Sequence, residues 1–534
     1  MRRWNGWGEE SISLPLKPEA LAFLAERVGP GTPVTDATLA ATLAQIPASR
    51  LPTHPDVSID PEARLRASFG QSCSDWLRLR HGEIDRVCDG VAYPETSNQV
   101  RELLAWANQQ GAIVIPYGGG TSVVGHLTPP AGDRPVLCIH LSRLNKLMAL
   151  DREAQLATFG AGVAGPDLEA QLRAQGYMLG HFPQSFEYAT LGGWVVTRSS
   201  GQQSLRYGRI EQLFAGGRLE TPTGTLELPT FPASAAGPAL SDMVLGSEGR
   251  LGVLTEATVR VTPLPDYERF HAVFFPSWEA GRAAVQAIAQ AKLPLSMLRL
   301  SNPVETMTTL TLAGHSAALA WLQRYLAWRG VGEGKCILLM GITGNRAMAA
   351  QTRKQALTLC CRHGGLHGGT TIGEKWKANR FKGVYMRNAL WEHGYVVDTM
   401  ETAADWAKVT PLMRAMEAAG QEALAGFGEK AHAYTHLSHV YAQGSSVYTT
   451  FIFRAAPTFA ENHARWRALK AAVSHAIVEG GGTISHQHGV GKDHAPYLKA
   501  EKCERGMTAL ESMIREFDPN GVMRSGNLIP DVGA

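Results

Sequence analysis

Three segments of this chain offer bare backbone where an anion could sit. The first, Pro116-Tyr117-Gly118-Gly119-Gly120-Thr121-Ser122, sets consecutive glycines directly after a β-branched run. Without Cβ atoms, successive backbone N–H groups can converge on a diphosphate. The second includes Gly192-Gly193-Trp194 and Arg198-Ser199-Ser200-Gly201, and the third is Gly246-Ser247-Glu248-Gly249-Arg250-Leu251-Gly252-Val253. None matches the GxGxxG of nicotinamide folds or a Walker A loop, which needs Gly-Lys-Ser/Thr. Taken singly, the first is as consistent with a ligand-free turn as with a phosphate cradle, and the third reads more simply as a hairpin. Three such segments within one stretch of 140 residues form a much more specific pattern.

The elements that must position them follow from periodicity. Residues 16–85 read as helical, with Leu21, Phe23, Leu24 and Val28 at helical spacing and prolines punctuating 47–61. Near Val87 the pattern changes to a strand, a helix from Ser97 and a second strand ending at Pro116, a β-α-β unit that delivers the chain into the glycine run. Short strands continue to Pro265. Strand and helix alternate again over 266–480, and 481–534 is expected to return to the first domain. The expected organisation is therefore a helical N-terminal segment (1–85), a nucleotide-binding domain (86–265), a second α+β domain (266–480) and a returning C-terminal segment (481–534).

Composition narrows the function classes. With 534 residues and 44% hydrophobic content the chain can bury several cores. Lys and Arg number 51 against 48 Asp and Glu, which gives no nucleic-acid footprint. Seven cysteines without a CxxC argue against zinc fingers and a disulfide framework and suit a reducing compartment. No run approaches the length of a membrane span, and no apolar signal core follows Met1, so a cytoplasmic protein is expected.

The segments PYGGGTSV, TLGGWVVTRSSGQQSLRYG and GSEGRLGVLTEATVRVTPLP resemble the FAD-binding segments of the vanillyl-alcohol-oxidase (PCMH-type) flavoproteins. Within that superfamily the chain is most similar to the alkylglycerone-phosphate synthase family, through WNGWG (4–8), GQSCSDWLRLR (70–80), TMETAADW (399–406) and SHQHGVGK (485–492). The resemblance covers nearly the whole chain. It implies an α+β fold in which a PCMH-type FAD-binding domain of two subdomains carries an α+β cap. It also implies that FAD is held by Pro116, Tyr117, Gly118, Gly119, Gly120, Thr121, Ser122, Gln184, Ser185, Thr190, Gly192, Gly193, Thr197, Ser199, Ser200, Glu248, Gly249, Gly252 and Val253. No His or Cys stands out as a flavin-linking residue, so the FAD is expected to be non-covalent.

The same resemblance assigns the reacting residues. Tyr448 matches the position that removes a proton from the substrate carbon. A phenol is a poor base at neutral pH unless positive charge lowers its pKa, and the candidates for that charge are His486, His488 and Arg387. His181 matches a further active-site position. Arg299 and Arg387 match the functional arginines, one of which would hold the substrate phosphate. Without the resemblance, Tyr448 reads as a packed strand tyrosine, and the histidines as a structural pair. The implied reaction exchanges the acyl group of acyl-dihydroxyacetone phosphate for a fatty alcohol, through flavin N5 and without net redox. Lipid-like substrates, an apolar tunnel in the second domain, peripheral membrane association and a homodimer are implied with it. Two positions depart from the family pattern: Gln184 replaces an Asp, and Gln487 replaces the middle of three histidines. The alternative on this scaffold is an FAD-dependent oxidoreductase acting on a 2-hydroxy acid or alcohol. Its metal-binding relatives place two histidines seven residues apart, but seven after His439 stands Ser446, and Gln487 occupies their Glu position, so no metal is expected.

Overall fold

The computed structural model describes residues 1–312 and 317–530. Three sheets account for the architecture. The first contains β1 (Val57–Ser58), β2 (Gly90–Ala92), β3 (Ile113–Tyr117) and β4 (Val136–His140) in the order β1-β2-β4-β3. β2, β4 and β3 run parallel. Their apolar residues are covered on both faces, as a parallel sheet requires. The helix Ser97–Gln109 joins β2 to β3. It starts at a Thr96/Gln99 capping box and turns Val100, Leu103, Leu104 and Ala107 inward. β3 then ends at Tyr117, immediately before Gly118.

The second sheet is antiparallel. Its strands are β5 (Leu147–Asp151), β6 (Leu156–Gly160), β8 (Phe214–Thr221), β9 (Gly224–Leu228) and β10 (Val253–Arg260), ordered β5-β6-β10-β8-β9. A small ribbon pairs β7 (Tyr177–Met178) with β11 (Thr262–Pro263). The short helix Leu191–Thr197 is capped by Thr190 and carries Gly192 and Gly193 across this sheet.

The third sheet forms the cap: β12 (Tyr267–Phe275), β13 (Met297–Ser301), β14 (Cys336–Gly344), β15 (Leu366–His367), β16 (Tyr395–Asp405), β17 (His432–Leu437) and β18 (Gly444–Arg454), ordered β15-β12-β14-β13-β17-β18-β16 and antiparallel throughout. Period-two alternation gives its two faces different tasks. Leu298 and Leu300 of β13, with Val447 and Phe451 of β18, join the core beneath the helices Trp278–Gln290, Trp406–Ala425 and Phe459–Glu479. Met297, Arg299, Tyr448 and Thr450 face a cavity on the other side.

Both ends of the chain tie the layers together. The N-terminal helix Pro18–Val28 packs Phe23, Leu24 and Val28 against Leu390, Tyr395 and Ile452 of the cap. At the other end, Val114 N–H donates to Val522 O at 2.6 Å, and Arg250 donates to Asn527 O at 2.5 Å. Among the described residues no helix is long and apolar enough to cross a membrane.

Candidate active site

A cavity of 610 Å³ lies where the glycine segments, the cap sheet and the returning C-terminal segment meet. Gly118, Gly119, Gly120, Thr121 and Ser122 form part of its wall. None of their backbone amides donates to another described residue, so they are free to face a ligand. The loop also has no room for side chains: a Cβ at Gly118 would collide with Thr190 Oγ1, and one at Gly119 with the Tyr188 carbonyl. A cradle of unpaired amides beside a cavity of small-molecule size fits the diphosphate of FAD.

Pro116, Gln184, Ser185, Thr190, Gly193, Thr197, Ser199, Ser200, Glu248 and Gly249 line the same cavity. Tyr117, Gly192, Gly252 and Val253 do not. Tyr117 turns away, donating to Arg66 O at 3.2 Å and stacking on His140. Gly192 lies against Ala161, Gly252 against Glu220, and Val253 joins the core beneath β3. These four shape the cradle from behind. Glu248 is already engaged: its carboxylate accepts from Val490 N–H at 2.5 Å and Gly491 N–H at 2.8 Å, tying the third glycine segment to the histidine loop, and lies 2.9 Å from His126 Nε2. Gln184 donates to Arg380 O at 2.8 Å and accepts from Gln202 at 3.0 Å. An Asp there could not donate to the carbonyl, so this departure has a local rationale.

The cap wall carries the titratable groups. Register sets His436, Tyr448 and Glu401 directly across β17, β18 and β16, so their side chains share one face. The His436 ring stacks on Tyr448 with centroids 4.9 Å apart, and the His488 ring meets it edge-on at 5.6 Å. Burial pushes the Tyr448 phenol up to about 12, against a lowering hydrogen bond from Thr399. Burial also holds His436 and His488 below the ordinary imidazole range, keeping both neutral at pH 7. His486, His488 and Arg387, the cations expected to act on Tyr448, are not among the principal influences on the phenol. The arginine acting on it is Arg299, whose effect is smaller than that of burial, rather than Arg387.

Arg299 is paired with Glu305 at 2.5 Å and approaches His436 Nδ1 at 3.0 Å. Burial would raise the Glu305 carboxyl, but Arg299 and His436 hold it at about 2. Arg387, in the first turn of the helix Met386–Glu392, donates to Gln71 O at 2.6 Å and lies over Trp76. Arg387, Arg299, Tyr448 and His488 all line the cavity; His181 and His486 do not. His181 is fully enclosed, with Nε2 at 3.2 Å from Ser199 Oγ and its ring on Trp194, and burial lowers it to about 3. His486 accepts from Arg209 at 2.6 Å and from Tyr441 at 2.7 Å, and burial keeps it neutral. It supports the loop from behind.

Several lining or supporting residues were not singled out individually from the sequence, although Trp7, Gln71 and Glu401 lie in the strings WNGWG, GQSCSDWLRLR and TMETAADW. Glu401 accepts Ser485 Oγ–H at 2.8 Å and the backbone N–H groups of His486, Gln487 and His488 at 3.0–3.1 Å. It thereby fixes the loop that presents His488. Trp7, Gln71, His436, His439 and Asn527 also line the cavity. His439 Nδ1 lies 3.1 Å from Ser200 Oγ and 3.2 Å from Ser204 Oγ.

Comparison with known proteins places this geometry. A model for "FAD linked oxidases, C-terminal domain" matches residues 264–528, and one for "FAD binding domain" matches 88–228. Alkyldihydroxyacetonephosphate synthase from Dictyostelium discoideum is 30% identical over 574 aligned residues, covering 99% of this chain and 94% of the relative. This chain belongs to the alkyldihydroxyacetonephosphate synthase family. The Trypanosoma brucei brucei synthase is also 30% identical, over 89% of this chain and 78% of its own. A solved alkyldihydroxyacetonephosphate synthase superposes with a TM-score of 0.83 at 26% identity, covering 99% of both chains. The family is FAD-linked and PCMH-type in fold, so the chain is an FAD enzyme.

Proposed function

We propose that this synthase-family member exchanges the acyl group of acyl-dihydroxyacetone phosphate for a fatty alcohol, releasing a fatty acid and forming the alkyl ether without net redox. One observation carries the reading: a single cavity joins the flavin cradle to Tyr448, Arg387 and an apolar wall. That wall comprises Met297, Leu312, Trp376, Val384, Met386 and Val397, suited to alkyl chains. When bound, FAD supplies the electrophilic centre at which the substrate carbon is exchanged. Non-covalent FAD is part of this proposal: among the described residues no cysteine lines the cavity.

The protein's own contribution is positioning and proton transfer. Tyr448 Oη takes the proton from substrate C1 while its own proton leaves to a neutral imidazole, His488 or His436. Because burial keeps the phenol protonated, the two movements are coupled. Arg299, neutralised by Glu305, orients His436 beside Tyr448, whereas Arg387 has no carboxylate partner among the described residues and serves the substrate phosphate. Long-chain substrates are taken from a membrane surface through the helix Ala317–Trp328, which follows the cavity-lining Thr308, Thr309 and Leu312 and exposes Trp321 (66%) and Trp328 (79%).

The test needs no electron acceptor. Purified FAD-loaded protein incubated with acyl substrate and labelled fatty alcohol is expected to yield labelled alkyl product. Tyr448→Phe should keep its flavin and lose about 10²-fold or more of this turnover. Turnover that instead requires an artificial acceptor and a hydroxy acid would establish the oxidoreductase alternative.

A further inference from the structure

The WNGWG segment near the N-terminus takes no part in the chemistry described so far, yet it is buried at the cavity edge. Gly6, Trp7 and Gly8 are buried, and Trp7 lines the cavity. The segment is held by a reciprocal pair: Trp7 N–H donates to Asn388 Oδ1 at 3.1 Å, and Asn388 Nδ2 donates to Trp7 O at 2.8 Å. The glycines permit this approach. A Cβ at Gly6 would stand 2.8 Å from Asn388 Oδ1, and one at Gly8, where φ is +82°, would enter the Tyr385 ring. Asn388 directly follows Arg387. On the other side, Arg2 donates to Gly119 O at 2.7 Å, so the segment bridges the flavin cradle and the helix carrying Arg387.

Gln71 completes the bridge. Its N–H donates to Ser122 O at 2.6 Å, its carbonyl accepts from Arg387 Nη1 at 2.6 Å, and its side-chain amide reaches Gly6 O at 3.5 Å. Three cavity-lining neighbours therefore share one property. Trp7 Nε1, Gln71 Oε1 and Arg387 Nη2 are buried and have no hydrogen-bond partner among the described residues. Buried polar atoms of this kind are uncommon in native proteins unless a ligand or an ordered water meets them. Their chemistry is complementary to one group. The guanidinium supplies charge, the indole a single donor, and Gln71 Oε1 an acceptor for the hydroxyl of a monoprotonated phosphate.

We infer that Trp7 and Gln71, with Arg387, form a subsite for the phosphate-monoester end of the substrate. The inference rests on the proposed substrate class. The FAD diphosphate is the other source of the same chemistry, and the experiment separates the two. Flavin-loaded wild type, Trp7→Phe and Gln71→Leu would be titrated with glycerol 3-phosphate, which lacks the acyl chain and the reactive carbonyl. Binding would be read by calorimetry, bound FAD by absorbance, and kcat and KM with the acyl substrate. Trp7→Phe is expected to retain FAD, weaken glycerol 3-phosphate about tenfold and raise KM by a similar factor with kcat little changed. Gln71→Leu should act in the same direction, and it carries the test if the first variant does not fold. Unaltered phosphate affinity in folded variants overturns this subsite alone, as does loss of FAD with phosphate affinity retained. Failure of flavin-loaded wild type to bind any glycerol 3-phosphate overturns both the subsite and the proposed substrate class.

Discussion

Among the described groups that act on Tyr448 no free cation is found, and the Glu401 and Asp398 carboxylates push the phenol further up. His436 and His488 are held neutral by burial, Arg299 is matched by Glu305, and the phenol itself lies at about 12. The pH dependence follows from these directions. Imidazoles with lowered pKa stay neutral until the pH drops below the ordinary histidine range, so the proposed proton transfer from Tyr448 to either ring is open at pH 7 and closes only in that more acidic region. A raised phenol does not ionise before alkaline pH. The kcat/KM profile is thus expected to be level from about pH 7 to pH 10, with an acid limb below it. A rise through pH 8–9, tracking phenolate formation, would show that Tyr448 works as a preformed anion. Tyr448, His488 and both arginines were legible in the sequence because they sit in distinctive local strings. His436 was not: its contact with Tyr448 is a cross-strand register that no local string expresses. The same holds for Trp7, whose partner Asn388 lies 381 residues away.

At the scale of elements, a carboxylate organises the histidine loop. Glu401 projects from β16 opposite Tyr448 and collects the hydroxyl of Ser485 and three successive backbone N–H groups. Hydrogen bonds to a charged acceptor are stronger than neutral ones, and a buried carboxylate needs them all. Glu401→Gln replaces one oxygen with a donor that faces donors. It is expected to destabilise the protein by about 3 kcal/mol and to speed amide exchange at Gln487 and His488 well beyond that at β18. Urea unfolding with residue-resolved hydrogen exchange checks both. Uniform exchange across the cap would show that Glu401 supports the sheet generally and not the loop. The β-α-β unit and the glycine cradle were readable in advance because helix capping, β-branched runs and glycine clusters are local signals. The order of the cap strands was not, since β13 lies between β14 and β17 only through long-range pairing.

Across the whole molecule, the cavity is assembled from parts distant in the chain, and one unusual surface helix packs Leu326 into the cluster that holds the cavity-lining Met297 and Trp376. Trp321, Tyr325 and Trp328 recur along one side of the helix Ala317–Trp328, with Trp321 and Tyr325 stacked 5.6 Å apart, while Leu326 points into the cap core. Two largely exposed tryptophans suit the headgroup level of a bilayer, where an amphipathic ring gains on both sides. Surface substitutions away from packed features change stability little, so Trp321→Ser combined with Trp328→Ser should fold and retain FAD. The double variant is expected to lose about tenfold or more in partitioning to phosphatidylcholine vesicles and to show a raised KM for a long-chain alcohol presented in them. Its turnover of a short-chain, water-soluble alcohol should match that of wild type. Equal loss with both alcohols would mean that the helix serves the cap's structure. Unchanged vesicle binding would mean that lipid substrates enter from another face.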